Sequence, residues 1–484
     1  MRVRFNNATL FLSAFVTLGL SGCLVGPKYH APQMPAPPAW GSEPADAATK
    51  TYGGAVDSTW WNSFHDAELT SLVTRLAKEN LDLKAAAERV EQARDARQIA
   101  RAAGLPSLNA NASYTRVRQS PNAFLSLVTP APGAPLDYNF FADNLSSSWD
   151  LDLFGRVRRS VEAAEANTQA AIEARHGIAL AAISEVAQDY MQLRGVQARE
   201  AILEDNLKLA EENLRLVKDR FDNGVSTTLD VANAQAQRAS IAALIPPVEA
   251  YKAGLINAIG MLLAQPPRVL ERELEGTAPQ PPTPLSVPVG LPGDLIRRRP
   301  DVREAEAVLH AATAETGVAV ASFFPDVSLS GHFGTEGLSP SNAWVWASRA
   351  FDIGPSISIP IFEGGRLRGT LRLRQSQQRE AVLSFQKIVL NAWREADDSL
   401  TDLAQAQRAQ IEIVTAVHQN ELALAAARQG YTEGAIDFLN VISVQAALLQ
   451  SQSQLVNVDT EINTRLVGLY RSLGGGWEIA NQFR

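Results

Sequence analysis

The chain of 484 residues is written twice. Arg156–Gln235 align without a gap on Arg366–Gln445, an offset of 210 (366 − 156), so that Arg156 meets Arg366, Glu185 meets Glu395, Gly224 meets Gly434 and Leu229 meets Leu439. Upstream, Leu81–Tyr114 align on Pro300–Phe333 at an offset of 219 (300 − 81), with Asp82 on Asp301 and Pro106 on Pro325. A register held over such spans is the mark of an internal repeat, and a repeat restricts the fold more than any local signal does. Each copy reads as a helix, a pair of strands and a long helical hairpin. The offset falls by about nine residues between the two alignments, which places an insertion in the first copy between Tyr114 and Leu145. That stretch carries Pro121, Pro130, Pro132 and Pro135 and reads as the longer of two strand-connecting loops, since loops tolerate insertions.

Four segments alternate with period two, the signature of half-buried strands. Leu108, Ala110, Ala112 and Tyr114 alternate with Asn109, Asn111 and Ser113. Leu145, Trp149, Leu151 and Leu153 alternate with Ser146, Ser148, Asp150 and Asp152. In the second copy Val327, Leu329 and Phe333 alternate with Ser328, Ser330 and His332, and Ile353, Ile357, Ile359 and Ile361 with Asp352, Ser356 and Ser358. An apolar face backed by a small, polar or acidic one suits a membrane barrel with a wet lumen; a soluble sandwich with one solvated face gives the same pattern. A barrel of this kind has at least about eight strands, and an open strand edge in lipid leaves its backbone groups unpaired. If these strands lie in a membrane, several copies of the chain must share one barrel.

The helical parts are long. A helix spans roughly Ala67–Ala103, ended by Gly104 and Pro106. Arg156–Asn223 and Arg366–Gln429 contain no proline, and at ~1.5 Å per residue each reaches about 100 Å. Gly224 and Gly434 break these helices, and second helices return from about Thr228 and Phe438, the first interrupted at Pro246-Pro247 and the second unbroken to about Leu473. Alanine-rich helices of this length need neighbours alongside to bury their apolar stripes. A coiled-coil scaffold without a pore is the bland alternative.

At the N-terminus, Arg2 and Arg4 precede the apolar Leu10–Leu20, as in an export signal. Leu20-Ser21-Gly22-Cys23 resembles a bacterial lipobox, in which the cysteine becomes the acylated first residue; an ordinary signal peptide beside an incidental cysteine is the alternative. Cys23 is the only cysteine, so an exported chain has no disulfide framework to build and lipidation explains the lone thiol better. Leu24 rather than aspartate after it points, by analogy, to the outer membrane. Without residues 1–22 the chain has 42 basic and 52 acidic residues, net −10, which argues against nucleic-acid binding. No apolar run of about 20 residues follows Cys23, so any crossing of a bilayer must use strands. Gly26–Ala39, with Pro27, Pro32, Pro35, Pro37 and Pro38, reads as an extended tether, and Pro266–Pro292, with eight prolines, as the connection between copies. The chain therefore divides into 1–22, the signal; 23–60, the lipid-anchored extended segment; 61–265, the first repeat; 266–292, the connection; 293–473, the second repeat; and 474–484, a C-terminal segment.

The string from Gly290-Leu-Pro-Gly through Arg297-Arg-Arg-Pro-Asp, followed by Phe323-Phe-Pro-Asp-Val-Ser-Leu, resembles the outer-membrane efflux lipoproteins of the TolC/OprM/NodT type. Cys23-Leu-Val-Gly-Pro-Lys-Tyr, Trp60-Trp61, Trp149-Asp-Leu-Asp-Leu-Phe-Gly-Arg and Gly474-Gly-Gly-Trp are similar too, so the likeness covers essentially the whole chain after residue 22. It implies an α+β membrane protein that works as a homotrimer. Each chain would give four strands to a twelve-stranded barrel and long helices to a periplasmic α-barrel. It also implies a periplasmic adaptor (membrane fusion protein) and an inner-membrane pump of the RND class as partners, beside the lipid of the outer membrane. The same duct could serve type I secretion or metal efflux.

No catalytic constellation is legible. His30, His65, His176, His310, His332 and His418 are scattered away from metal-ligand spacing, and no phosphate-cradling loop, paired nucleophile or cysteine cluster is present, so no cofactor is expected beyond a lipid on Cys23. Function is better sought at the two hairpin turns, Phe221–Val231 and Tyr431–Val441, where an adaptor would dock in the grooves flanking Gly224 and Gly434. In a trimer, Asp230 or Asp437 would form a ring of carboxylates that favours cations and sets the energy of closure. Capping of the returning helix is the competing role, for which Ser226, Thr227 and Asp437 are suited; Asp230 leans to the pore. Relatives often carry a carboxylate and an arginine that tie the tip shut, and the matching positions here are Ser443 and Ala446, which cannot pair. Leu439 matches an apolar constriction residue. Closure is thus expected to rest on Leu439 packing and Asp230, at a tip where Asp230 and Asn233 of one copy face Asn440 and Ser443 of the other.

Overall fold

The computed structural model describes residues 24–41, 49–118, 120 and 137–481. Cys23 and the loop prolines Pro121, Pro130, Pro132 and Pro135 lie outside the described residues. In chain order the elements are β1 (Lys50–Tyr52), a 3-10 turn at Trp60–Phe64, α1 (Ala67–Glu79), α2 (Leu81–Ala102), β2 (Ser107–Arg118), β3 (Asp137–Asp150), α3 (Arg156–Asp222), α4 (Thr228–Ala242) and α5 (Ile245–Leu262). The second copy follows as β4 (Ser286–Pro288), α6 (Pro292–Arg298), α7 (Pro300–Ala321), β5 (Asp326–Gly337), β6 (Arg349–Ser358), α8 (Arg366–Thr432) and α9 (Phe438–Ser472). No described helix is long and apolar enough to cross a membrane.

Two expectations are corrected, and two proline-rich segments prove more closely held than their sequence suggests. The helix read over Ala67–Ala103 is two helices, because Asn80 leaves helical conformation at φ −57°, ψ 129°. Its side chain accounts for the break: Nδ2 donates to the Leu262 carbonyl at 2.8 Å, and Oδ1 accepts from the Leu83 N–H at 2.9 Å, capping α2. The alternation through Leu153 and Ile361 outruns the strands, which end at Asp150 and Ser358; β5 begins at Asp326, opposite Ser358, so Ile359 and Ile361 have no strand to pair with among the described residues. The proline-rich tether is extended but held fast. The Val25 N–H donates to the Phe154 carbonyl, Arg159 donates to the Val25 and Gly26 carbonyls, and Tyr29 stacks on His310 at 4.3 Å while donating to Glu306. Further along, Trp40 donates to the Gly290 carbonyl at 3.0 Å. The connection at 266–292 is likewise built in, since its β4 pairs in parallel with β1.

The chain folds as two compact units. The first comprises the described residues up to Pro32 with Glu91–Ala170 and Glu306–Ser384, and carries a four-stranded antiparallel sheet in the order β2-β3-β5-β6. Register sets its faces, because paired residues share a side. One face collects Leu108, Tyr114, Phe141, Leu145, Trp149, Leu329, Phe333, Phe351, Ile353 and Ile357; the other collects Asn109, Asn111, Ser146, Asp150, Ser328, Ser330, His332, Asp352 and Ser356. The apolar face is open, and a soluble protein would have to cover it: Leu108, Phe351 and Ile353 are 69, 68 and 77% exposed. Pro355 sits in β6, an outer strand, where a missing N–H is tolerated.

The second unit, Gln33–Val90, Ala171–Ala305 and the described part of Phe385–Arg484, holds the main core. Trp60 is wholly buried, stacks on Tyr470 at 5.0 Å and donates to the Gly475 carbonyl at 3.1 Å. A Cβ on Gly475 or Gly476 would meet Val56 or Trp60 at under 3.0 Å, so the terminal glycines make room for the tryptophan. The Arg297-Arg-Arg-Pro-Asp string clamps this segment. Arg298 reaches the Gly474 carbonyl and Glu478; Arg299 reaches Asp301, Glu395 at 2.7 Å and the Ser472 carbonyl; Arg303 reaches the wholly buried Glu173 at 2.6 Å. Burial disfavours the Arg299 charge, and the hydrogen bonds and charges of Asp301 and Glu395 outweigh it, raising its pKa. Arg299→Met should lower stability by about 2 kcal/mol, short of the ~3–5 of a fully buried pair because Asp301 and Glu395 stay 44 and 37% exposed. A thermal melt of the detergent-purified protein checks this, and an unchanged midpoint would remove the clamp from the account.

Candidate functional site

The two hairpin turns lie in the second unit and are built alike. Gly224 (φ 72°) ends α3 and Gly434 (φ 76°) ends α8, each in the left-handed region that glycine enters without penalty. The Val225 N–H closes on the Arg220 carbonyl and the Ala435 N–H on the Gly430 carbonyl, both at 2.8 Å, which are equivalent helix-closing bonds 210 residues apart (430 − 220). Nothing lies within 4 Å of a Cβ placed on either glycine, so both turns are open to their surroundings.

The returning helices start differently. Thr227 caps α4 in a reciprocal box: its hydroxyl accepts from the Asp230 N–H at 3.2 Å, and the Asp230 carboxylate accepts from the Thr227 N–H at 2.9 Å and the hydroxyl at 2.8 Å. Asp437 occupies the cap position of α9 with no side-chain capping bond, and Ser226 pairs with the Tyr431 hydroxyl at 2.9 Å. Of the three residues expected to cap, Thr227 alone does so, and its partner is the aspartate expected to favour the pore. Geometry decides this: Asp230 stands three residues after Thr227, the spacing a capping box needs, whereas Asn440 replaces it after Asp437.

Sequence reasoning missed the pin that joins the hairpins. Tyr431 is buried, with the Arg220 guanidinium 4.8 Å from its ring centre and Phe438 at 5.2 Å. Arg220 also donates to the Thr432 carbonyl at 3.1 Å. An aromatic residue seven before each returning helix was the available signal, since Phe221 is the counterpart of Tyr431; yet Phe221 is 43% exposed. Val217, Ala234, Leu424, Phe438, Val441 and Leu448 fill the space beneath. Asn213 donates to Gln445 at 3.0 Å and Asn206 to Gln452 at 2.9 Å, fixing α3 against α9 in one register. Arg238–Glu211 and Arg428–Glu212 add exposed ion pairs of small individual worth.

The remaining expected site residues face outward. Leu439 is 64% and its counterpart Leu229 67% exposed, Asn233 is half-buried, and Ser443 is exposed with its hydroxyl donating to the Asn440 carbonyl. Leu439, Ser443 and Ala446 lie along one side of α9, at spacings of four and three, while Phe438, Val441, Gln445 and Leu448 fill the other. Asp230→Ala should remove the box and destabilise the hairpin by about 1 kcal/mol, with Asp230→Asn costing only a few tenths; hydrogen exchange at Thr228–Val231 reads the difference, and equal protection in both variants would refute it.

Comparison with known proteins follows the repeat. The model of the outer membrane efflux protein family matches residues 72–246 and 291–475, one match per copy. Nodulation protein T of Rhizobium leguminosarum bv. trifolii is 31% identical over 469 residues, covering 97% of this chain and 98% of its own. The toluene efflux pump outer membrane protein TtgC of Pseudomonas putida is 31% identical over 476 residues, covering 97% and 95%. Among solved structures, the outer-membrane channel OprN is similar with a TM-score of 0.86 at 33% identity, over 94% of this chain and 100% of that one.

Proposed function

The chain belongs to the outer membrane efflux protein family, and from that membership we propose that it is the passive outer-membrane exit duct of a tripartite efflux pump in a Gram-negative bacterium, carrying small toxic molecules from the periplasm to the exterior. The fold is that of trimeric channels, in which each chain adds four strands to a twelve-stranded membrane barrel and long helices to a periplasmic α-barrel. The observation that carries the reading is the sheet with one apolar and one polar face whose outer strands have no further partner among the described residues. Its partners are a periplasmic adaptor docking beside Gly224 and Gly434 and an inner-membrane pump of the RND class, which supplies energy and substrate choice. A lipid on Cys23 is the one covalent addition, and no further cofactor enters.

The tip gates the duct. Leu439 and Leu229 project as apolar constriction residues, and three copies of Asp230 place carboxylates near the aperture. The half-buried Asn233 and the exposed Asp437 and Ser443 complete the lining. No carboxylate–arginine tie stands at Ser443 and Ala446, so closure rests on apolar packing. Purified trimer in a planar bilayer should therefore conduct with a cation preference that Asp230→Asn reduces, and high salt should not throw it open; a strongly salt-opened channel would count against apolar closure. Gly434→Trp, at a turn with open space around it, should lower drug efflux at least several-fold without lowering trimer yield. Undiminished efflux would sink the docking site.

A further inference from the structure

The break that distinguishes the two returning helices stands beside a cavity. Together α4 and α5 run from Thr228 to Leu262 and α9 from Phe438 to Ser472, the same bounds at the offset of 210 (438 − 228 and 472 − 262). Pro246 and Pro247 have no N–H to give to the carbonyls of Ala242 and Ala243, so the first of the two stops at Ala242 and restarts at Ile245. The cavity there measures about 540 Å³, within the size range of small-molecule sites, and is walled by α3, the start of α5 and α9.

Its apolar side is made by Val196, Leu244, Pro247, Val248 and the ring of Tyr251. The ring is held in place, because the Tyr251 hydroxyl donates to Gln192 Oε1 at 2.9 Å. At Gly195, α3 comes so near α9 that a Cβ would meet the Thr460 hydroxyl oxygen at 2.1 Å, which closes the floor between those helices.

Arg199 stands on the same face of α3, three residues beyond Val196 and four beyond Gly195. It is half-buried, its Nε is shut off from water, and it has no hydrogen bond or ion pair among the described residues. Arg75, Arg194 and Arg220 also bury an Nε without a partner, yet each is held through its terminal nitrogens, by Glu273, Gln197 and the Thr432 carbonyl. A guanidinium keeps its charge in a protein, and a buried donor without an acceptor is costly. The one carboxylate on the cavity wall is Glu461, which Arg465 already holds at 2.9 Å. Glu200, next in the chain, is taken by Lys252 at 2.7 Å. Neither is left to answer Arg199.

The second copy carries neither part. Arg199 meets Ala409 (409 − 199), and at the same offset Pro246 and Pro247 meet Val456 and Asn457. The proline break and the unanswered guanidinium therefore belong together, as additions to the first copy that a plain helical wall does not need.

We propose that this cavity binds a small organic anion, with the Arg199 guanidinium taking a carboxylate in its fork and the apolar side taking a hydrophobic, ring-containing body. The planar fork matches two carboxylate oxygens, and the fixed Tyr251 ring offers a ready surface to an apolar group. The site is complete within one chain, so it stands or falls apart from the duct reading.

The test uses the full-length protein purified in detergent and titrated calorimetrically with 2-naphthoate and with its uncharged match, 2-naphthamide. Wild type should bind the naphthoate saturably and about tenfold or more tightly than the amide, with added salt weakening the naphthoate alone. Arg199→Met should lower naphthoate affinity about tenfold or more and leave the amide unchanged, with Arg199→Lys in between. Val248→Trp, which fills the cavity, should abolish both. Circular dichroism and light scattering check that each variant folds and assembles as the wild type does. The site is overturned by absence of saturable binding, by equal wild-type affinity for acid and amide, or by wild-type naphthoate affinity in Arg199→Met or Val248→Trp. The wild-type comparison decides the matter where a variant fails to fold.

Discussion

Everything in the first unit depends on the demand that backbone hydrogen-bonding groups find partners where water is absent. Among the described residues, four strands satisfy that demand only along their three internal junctions. The outer edges of β2 and β6 remain, and each unmet group in hydrocarbon costs several kcal/mol. The apolar band on one face, with Ile353 and Phe351 largely open, is tolerable only in lipid. Membrane insertion and closure with other copies are thus one requirement, and the edge residues need no individual strength to enforce it.

The second unit answers a different problem: how to give long alanine-rich helices a single arrangement. Arg298, Arg299 and Arg303 hold the chain's C-terminal segment against α3, α8 and α9, with Trp60 stacked beneath. Strings that read as a family signature are here a mechanical joint, and these three arginines are engaged in it rather than left to handle cargo. Along the helices, Asn213–Gln445 and Asn206–Gln452 set register where small apolar contacts alone would allow sliding.

Much of this was legible beforehand. Period-two alternation located all four sheet strands, absence of proline located α3 and α8, and Gly224 and Gly434 marked both turns. What escaped notice depended on distant partners. Asn80 breaks a helix only because the Leu262 carbonyl waits for its amide, and the tether is fixed only because Arg159 and His310 meet it. At the tip, propensity suggested three capping residues, whereas the Thr227–Asp230 spacing selected one. Tyr431 was passed over because an aromatic at a helix end carries no sign of whether it turns inward, and its counterpart Phe221 does not.

That inequality between Tyr431 and Phe221 has a mechanical consequence. Inside one chain the two hairpins are clasped by Tyr431 on Arg220, Ser226 and Phe438. Where Arg220 stands in the first copy, Gly430 stands in the second, so the clasp has no equivalent at the boundary between chains. The clasp therefore stiffens the two hairpins of one chain into a single body.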